Sequence, residues 1–203
     1  MKKRFNIPVS LLCIFLASSL YAQGAKTDTN KWYIPQLIRL QFAGNIGMFS
    51  AGSSWIFVRD VIELTPSFGY APAFITGRDI YIASLKSIFE PKLNISITKK
   101  FTFKPFAIGA VFSYTFRDKL NEGQATENYP GVYYWKKIHF RMGLLYQAEL
   151  YAKLNCKHFS GVGIYLEASW WDVYLVSKFD HGNSSYLNLW DITTFGLGTK
   201  IYF

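Results

Sequence analysis

The sequence predicts an all-β fold, a closed antiparallel transmembrane β-barrel of eight strands, on three observations. Aromatic residues make up 19% of the chain, and charged residues only 17%, against about 25% in ordinary soluble domains. After the first 22 residues no apolar run is long enough for a spanning helix, which needs about 20 residues. Apolar and polar residues alternate with a period of two in several segments. Within lipid, only helices and closed barrels satisfy every backbone hydrogen bond.

Residues 1–22 have the layout of a secretory signal peptide. Lys2, Lys3 and Arg4 precede an apolar run that is too short to span a membrane, and Ala22 supplies a small residue at the cut. An uncleaved N-terminal anchor is the alternative. Cleavage would leave residues 23–203 as the barrel domain, with Cys156 as the single cysteine, so no internal disulfide is expected.

The clearest strand covers residues 140–154. Its even-numbered side chains are apolar and its odd-numbered ones mostly polar over some fifteen residues, whereas strands of soluble sheets usually have about 5–6 residues. Such a length suits a tilted strand that crosses lipid. The eight predicted strands are 33–43, 45–58, 61–72, 79–91, 100–116, 138–154, 158–174 and 189–203.

The predicted connections alternate between two ends of the barrel, as antiparallel strands require. The links at 59–60, 92–99 and 155–157 would be periplasmic turns. The long polar loops at 117–137 and 175–188 would lie on the external side. The first external connection, near Gly44, would be very short, and ten strands is the alternative if it fails.

Charged residues fall on the strand faces that would line the barrel lumen. Eight strands leave an interior that side chains just fill, and buried charges must be paired. We therefore expect a network of salt bridges that plugs the barrel, with a narrow ion path or a ligand site as the alternative. Its predicted members are Arg39, Glu63, Lys86, Arg141, Glu149, Lys153, Glu167 and Lys200.

The last nine residues, Phe-Gly-Leu-Gly-Thr-Lys-Ile-Tyr-Phe, end in phenylalanine with apolar residues at alternate positions before it. This segment resembles the C-terminal assembly signal of small bacterial outer-membrane barrels of the OmpA membrane-domain and OmpX type. The resemblance implies an outer-membrane location and a biogenesis partner, the barrel-assembly machinery. Its signal residues would be Phe195, Leu197, Ile201 and Phe203. The family spans several roles, so function does not follow from the fold.

The best catalytic candidates are His158 and Ser160, which resemble the His-x-Ser pair of outer-membrane lipid A deacylases. A third member is missing from this pattern. Glu167 has the opposite strand parity, and Asp172 lies twelve residues of strand from Ser160, about 40 Å at ~3.3 Å per residue. The three histidines lack ligand spacing, and no nucleotide or nucleic-acid motif is present, so no metal, cofactor or nucleic acid is expected.

These patterns predict a structural or surface-interaction protein of the outer membrane with a charge-plugged lumen. Without the three basic residues of the signal, 19 basic and 13 acidic residues leave a charge of +6, which suits anionic lipid and lipopolysaccharide as partners. The alternatives are a lipid A-modifying enzyme and a small pore or ligand carrier. The sequence does not indicate an oligomeric state.

Overall fold

The computed structural model describes residues 33–44, 46–77, 79–116, 140–154, 156, 158–172, 175 and 188–203. The predicted signal peptide, residues 1–22, lies outside them. Residues Pro35–Phe203 form one compact unit. Its strands are β1 (Leu37–Ala43), β2 (Phe49–Phe57), β3 (Ile62–Ala71), β4 (Ile80–Phe89), β5 (Ile95–Ser96), β6 (Phe101–Phe116), β7 (Phe140–Lys153), β8 (Gly161–Trp171) and β9 (Thr194–Tyr202).

Eight of these strands form a closed antiparallel barrel. Each pairs with its neighbours along the chain, β4 pairs with β6, and β1 pairs with β9 to close the ring. The predicted all-β fold, a closed antiparallel barrel of eight strands, is therefore confirmed, and all eight predicted strands are present. The two-residue strand β5 was not predicted, and it pairs only with the first residues of β6.

The connections alternate between two ends of the barrel. We call the end that holds residues 58–61 and 90–100 the turn end, and the end that holds residues 46–48 and 72–77 the loop end. The short helix α1 (Ala73–Thr76) lies at the loop end. No helix in the described part of the chain is long and apolar enough to span a membrane.

A β-bulge in β6 changes which side chains of that strand point inward. Lys104 faces Glu149 of β7, and the next paired residue, Ala107, faces Gln147. Pro105 and Phe106 thus lie opposite one residue of β7, which is the two-against-one arrangement of a bulge. Proline has no N–H to donate to the ladder, so a bulge is a position that tolerates it.

The connection between β1 and β2 folds into the barrel at the loop end. The Ala43 N–H donates to the Met48 carbonyl at 2.8 Å, and Gly44 and Gly47 have φ of 92° and 112°, a region that glycine adopts readily. A Cβ on Gly69 would lie 1.7 Å from the Ile46 carbonyl oxygen, so only glycine permits this approach. Buried Ile46 then packs in a core cluster with Ile82, Ile88, Ala107, Val111, Leu145 and Trp171.

Candidate functional site in the charged barrel interior

Charge is segregated across the barrel wall. Every Asp, Glu, Lys and Arg within the eight described barrel strands occupies an inward-facing position of the ladder, and no outward-facing position of these strands is charged. Alternate residues of a strand point to opposite faces, so the pattern sorts nine charges to one side. They are Arg39, Glu63, Lys86, Lys104, Arg141, Glu149, Lys153, Glu167 and Lys200.

Lys86 of β4 and Glu167 of β8 form an ion pair across the interior. The Lys86 Nζ lies 2.6 Å from Glu167 Oε2 and donates to Gln41 Oε1 at 2.7 Å. The Gln41 amide in turn donates to Glu167 Oε1 at 3.2 Å. Both charged side chains are buried, so each satisfies the other where water is excluded.

Arg39 of β1 joins this pair to the middle of the barrel. Its guanidinium lies 3.0 Å from Glu63 and 4.0 Å from Glu167, and Nη2 donates to the side-chain oxygen Oε1 of Gln147. The guanidinium carbon also lies 4.4 Å from the centre of the Tyr165 ring. A planar guanidinium combines a fork of donors with a flat face that stacks on an aromatic ring, and an ammonium group lacks that flat face.

Lys200 of β9 contacts three carboxylates closer to the turn end. Its Nζ lies 2.9 Å from Glu149, 3.0 Å from Glu63 and 3.3 Å from Glu90. The Lys200 side chain is fully buried. It is therefore the cation that contacts the largest number of carboxylates in the described network.

Lys104 completes the network at the turn end. Its Nζ lies 2.6 Å from Glu90 and 3.7 Å from Glu149, and 5.1 Å from the centre of the Tyr202 ring. Glu90 lies just beyond β4. Burial works to raise the pKa of Glu90, but Lys200 and Lys104 hold it below its usual value, so this carboxylate is ionised at neutral pH.

The connected charges balance. Four cations and four carboxylates form one continuous set of ion pairs, with a formal sum of zero. A balanced set avoids the large cost of an isolated buried charge. We refer to it as the interior network: Arg39, Glu63, Lys86, Glu90, Lys104, Glu149, Glu167 and Lys200.

A half-open cleft lies at the turn end, next to the interior network. Its cavity volume is about 260 Å³, smaller than typical ligand pockets of about 300–1,000 Å³. Apolar side chains of Leu37, Ile56 and Val61 form part of its wall, and Glu90 and Lys104 are among its charged lining. Because these charges are already paired, the cleft presents no uncompensated group of the network to a ligand.

Two residues predicted for the lumen lie outside the interior network. Arg141 is only partly buried and lies 4.0 Å from Asp172, near the loop end. Lys153 has the inward-facing register, opposite Gly161, but it is exposed at the last position of β7. Both residues lie near an end of β7, where an inward-facing register alone does not bury a side chain.

Glu90 and Lys104 belong to the network but were not predicted as members. Glu90 shares its parity with Lys86, which was a usable signal. Lys104 has the parity of the outward-facing residues of β6, and only the bulge brings it inside. The proline at 105 was the one indication in the sequence that the alternation is interrupted there.

The candidate pair His158 and Ser160 lies at the turn end. His158 is exposed, and the Ser160 hydroxyl donates to the Phe203 carbonyl at 3.2 Å. Asp172 directly follows β8 at the opposite end of the barrel. Among the described residues no group of three or more His, Cys, Asp or Glu could hold a metal ion; His139 and His181 lie outside them.

The residues of the predicted assembly signal lie on the outer face of β9 and just beyond it. Phe195 and Leu197 are exposed, whereas the intervening Gly196 is buried. The Phe203 N–H donates to the carbonyl of Gln36, the residue before β1, at 3.0 Å. The segment therefore offers an apolar outer face at the seam where the barrel closes.

Comparisons of the chain with protein-family models, with curated proteins and with solved structures found no match.

Proposed function

We propose that this chain is a structural or surface-interaction β-barrel of the bacterial outer membrane, exported by the signal peptide at residues 1–22. The observation that carries the proposal is the segregation of charge across the barrel wall. Nine charged residues of the eight barrel strands that the structure describes point inward, and none in those strands points outward. A water-soluble barrel has no need of this arrangement, whereas a charged side chain facing lipid is costly.

The outer surface of the barrel supports immersion in lipid. Large apolar side chains there are exposed at positions that alternate with buried ones, and monomeric soluble proteins rarely expose contiguous apolar patches of such extent. These residues include Leu40, Phe42, Phe68, Leu85, Ile108, Met142, Leu144, Leu150, Ile164, Leu166, Phe195 and Leu197.

The filled interior favours a structural role over an open pore. The interior network occupies the barrel from its middle to the turn end. The core cluster contains Ile46 and Trp171, which lie at the loop end. Most side chains of both layers are buried and packed against one another, which supports a plugged interior. Function would then reside in the surface, with the loops at 117–137 and 175–188 presented to partners or to lipopolysaccharide.

The proposal predicts that a lysine on the outer face will oppose folding into lipid. Leu166, in the middle of β8, is 51% exposed. Its replacement by Lys should cost about 2–4 kcal/mol in a bilayer but little in a water-soluble barrel. Leu189 is the matched control, since it is 55% exposed but lies outside the strands.

The measurement is heat-modifiable gel migration of protein refolded into phospholipid vesicles. The wild-type chain and Leu189→Lys should shift on boiling, and Leu166→Lys should fold to a smaller extent at the same urea concentration. Equal folding of the two variants would contradict the membrane assignment. In planar bilayers the wild-type protein should conduct little, and a steady open conductance would contradict the plugged interior.

A further inference from the structure

One side of the barrel projects further than the rest at the turn end. β6 begins at Phe101, but its pairing with β4 begins only at Ile108. The first residues of β6 pair instead with β5 and with the end of β7. Ile95 lies opposite Phe103, and Phe103 lies opposite Leu150. The projection is therefore an ordered, hydrogen-bonded extension of the barrel wall.

The outer face of this projection is apolar. Ile95 and Ile97 of the 90–100 connection are exposed, as is Phe101 at the start of β6. Residues opposite one another in a ladder point to the same face, so Ile95 and Phe103 share the outward side of Leu150. The apolar outer surface of the barrel thus extends into the projection.

Lysines cluster where this apolar face ends. Lys99 and Lys100 form the tip of the projection, and the Lys153 N–H donates to the Lys100 carbonyl at 2.8 Å. All three lysines are exposed. No acidic residue occurs between Pro91 and Phe103. We call this surface the rim patch: Ile95, Ile97, Lys99, Lys100, Phe101 and Lys153.

We propose that the rim patch binds the headgroups of acidic glycerophospholipids in the leaflet at the turn end. The inference rests on the proposed membrane location. An apolar face bordered by lysines is the arrangement by which proteins engage an anionic membrane interface. A polyanion in solution would match the lysines but would leave the adjoining apolar row against water.

The test uses Cys156, which is exposed in the connection that follows β7. A donor fluorophore is attached there in the full chain carrying Cys13→Ser, and the protein is placed in phosphatidylcholine nanodiscs. Trace acceptor, labelled on the acyl chain, is either phosphatidylglycerol or phosphatidylcholine. We expect energy transfer to favour phosphatidylglycerol, and the preference to fall roughly fivefold for each lysine replaced by Gln in Lys99→Gln, Lys100→Gln and Lys153→Gln.

Two kinds of control variant separate the patch from general charge. Lys99→Arg, Lys100→Arg and Lys153→Arg keep the charge and should keep the lipid preference. Arg59→Gln removes a cation from the β2–β3 turn at the same end and should leave the lipid preference intact. An equal loss in Arg59→Gln, or no preference in the wild type, would overturn the proposal. Binding of the rim patch to isolated peptidoglycan, without a lipid preference, would also overturn it.

Failure of this inference is distinct from failure of the proposed function. If nanodisc-bound protein shifts on boiling but shows no lipid preference, only the lipid site is rejected. If the protein does not enter nanodiscs as a heat-modifiable barrel, the membrane assignment is rejected and the lipid site with it.

Discussion

Replacing Lys200 by Met is expected to lower the free energy of unfolding by about 3–5 kcal/mol, the cost of removing one partner from a buried ion pair. Lys200 is fully buried and contacts Glu63, Glu149 and Glu90 within 3.3 Å. Methionine fills a similar volume but supplies no charge, so the interior network would hold one uncompensated carboxylate. The loss should appear as a lower urea midpoint of the heat-modifiable form.

Two further variants distinguish the loss of charge from a change in packing. Lys92→Met makes the same replacement at a site where the lysine side chain is 60% exposed and should shift stability by less than about 0.5 kcal/mol. Adding Glu149→Gln to Lys200→Met restores the charge balance, and the double variant should recover part of the loss. If Lys200→Met is no less stable than Lys92→Met, the interior network does not stabilise the barrel.

The Lys86–Glu167 pair is expected to show strong energetic coupling. Lys86→Met alone, or Glu167→Gln alone, should cost about 3–5 kcal/mol, because each leaves the other charge buried without its partner. The double variant removes both charges and should be much more stable than the sum of the two losses predicts. The coupling energy of a double-mutant cycle, measured from urea unfolding of the four proteins, reports this difference.

The matched control is the exposed pair formed by Lys92 and Asp60. Their charged groups lie 3.5 Å apart, and both side chains are largely exposed. Exposed ion pairs contribute little because water and salt screen them, so the cycle of Lys92→Met and Asp60→Asn should show little coupling. Similar coupling in both pairs would mean that burial does not strengthen the interior pair.

The fold was largely predictable because the two-residue alternation indicates which face of the sheet each side chain occupies. Residues 140–154 show it throughout, and the structure has β7 there with the predicted inward and outward sets. The ends were less predictable, since side chains beyond the ladder reach solvent whatever their parity. Lys153 is inward in register and still exposed.

Which side chains point inward was more predictable than which of them contact one another. Alternation indicates that Lys86 and Glu167 point inward, but β4 and β8 are not neighbours in the barrel. Which residues meet across the interior depends on the stagger of every strand between them. One added residue, at the bulge beside Pro105, was enough to bring Lys104 inside against the local pattern.

The position of Lys200 in β9 ties the neutralisation of the interior to the order of assembly. β9 closes the ring by pairing with both β1 and β8, and it is the last described strand in the chain. Until it docks, the sheet has an open seam, and Glu63, Glu90 and Glu149 await their shared counter-ion. Docking of β9 therefore seals the seam and also adds the fourth cation, which completes the charge balance that Arg39, Lys86 and Lys104 provide only in part. In the membrane location proposed above, a sheet without β9 would bring both unpaired backbone groups and an uncompensated carboxylate into hydrocarbon.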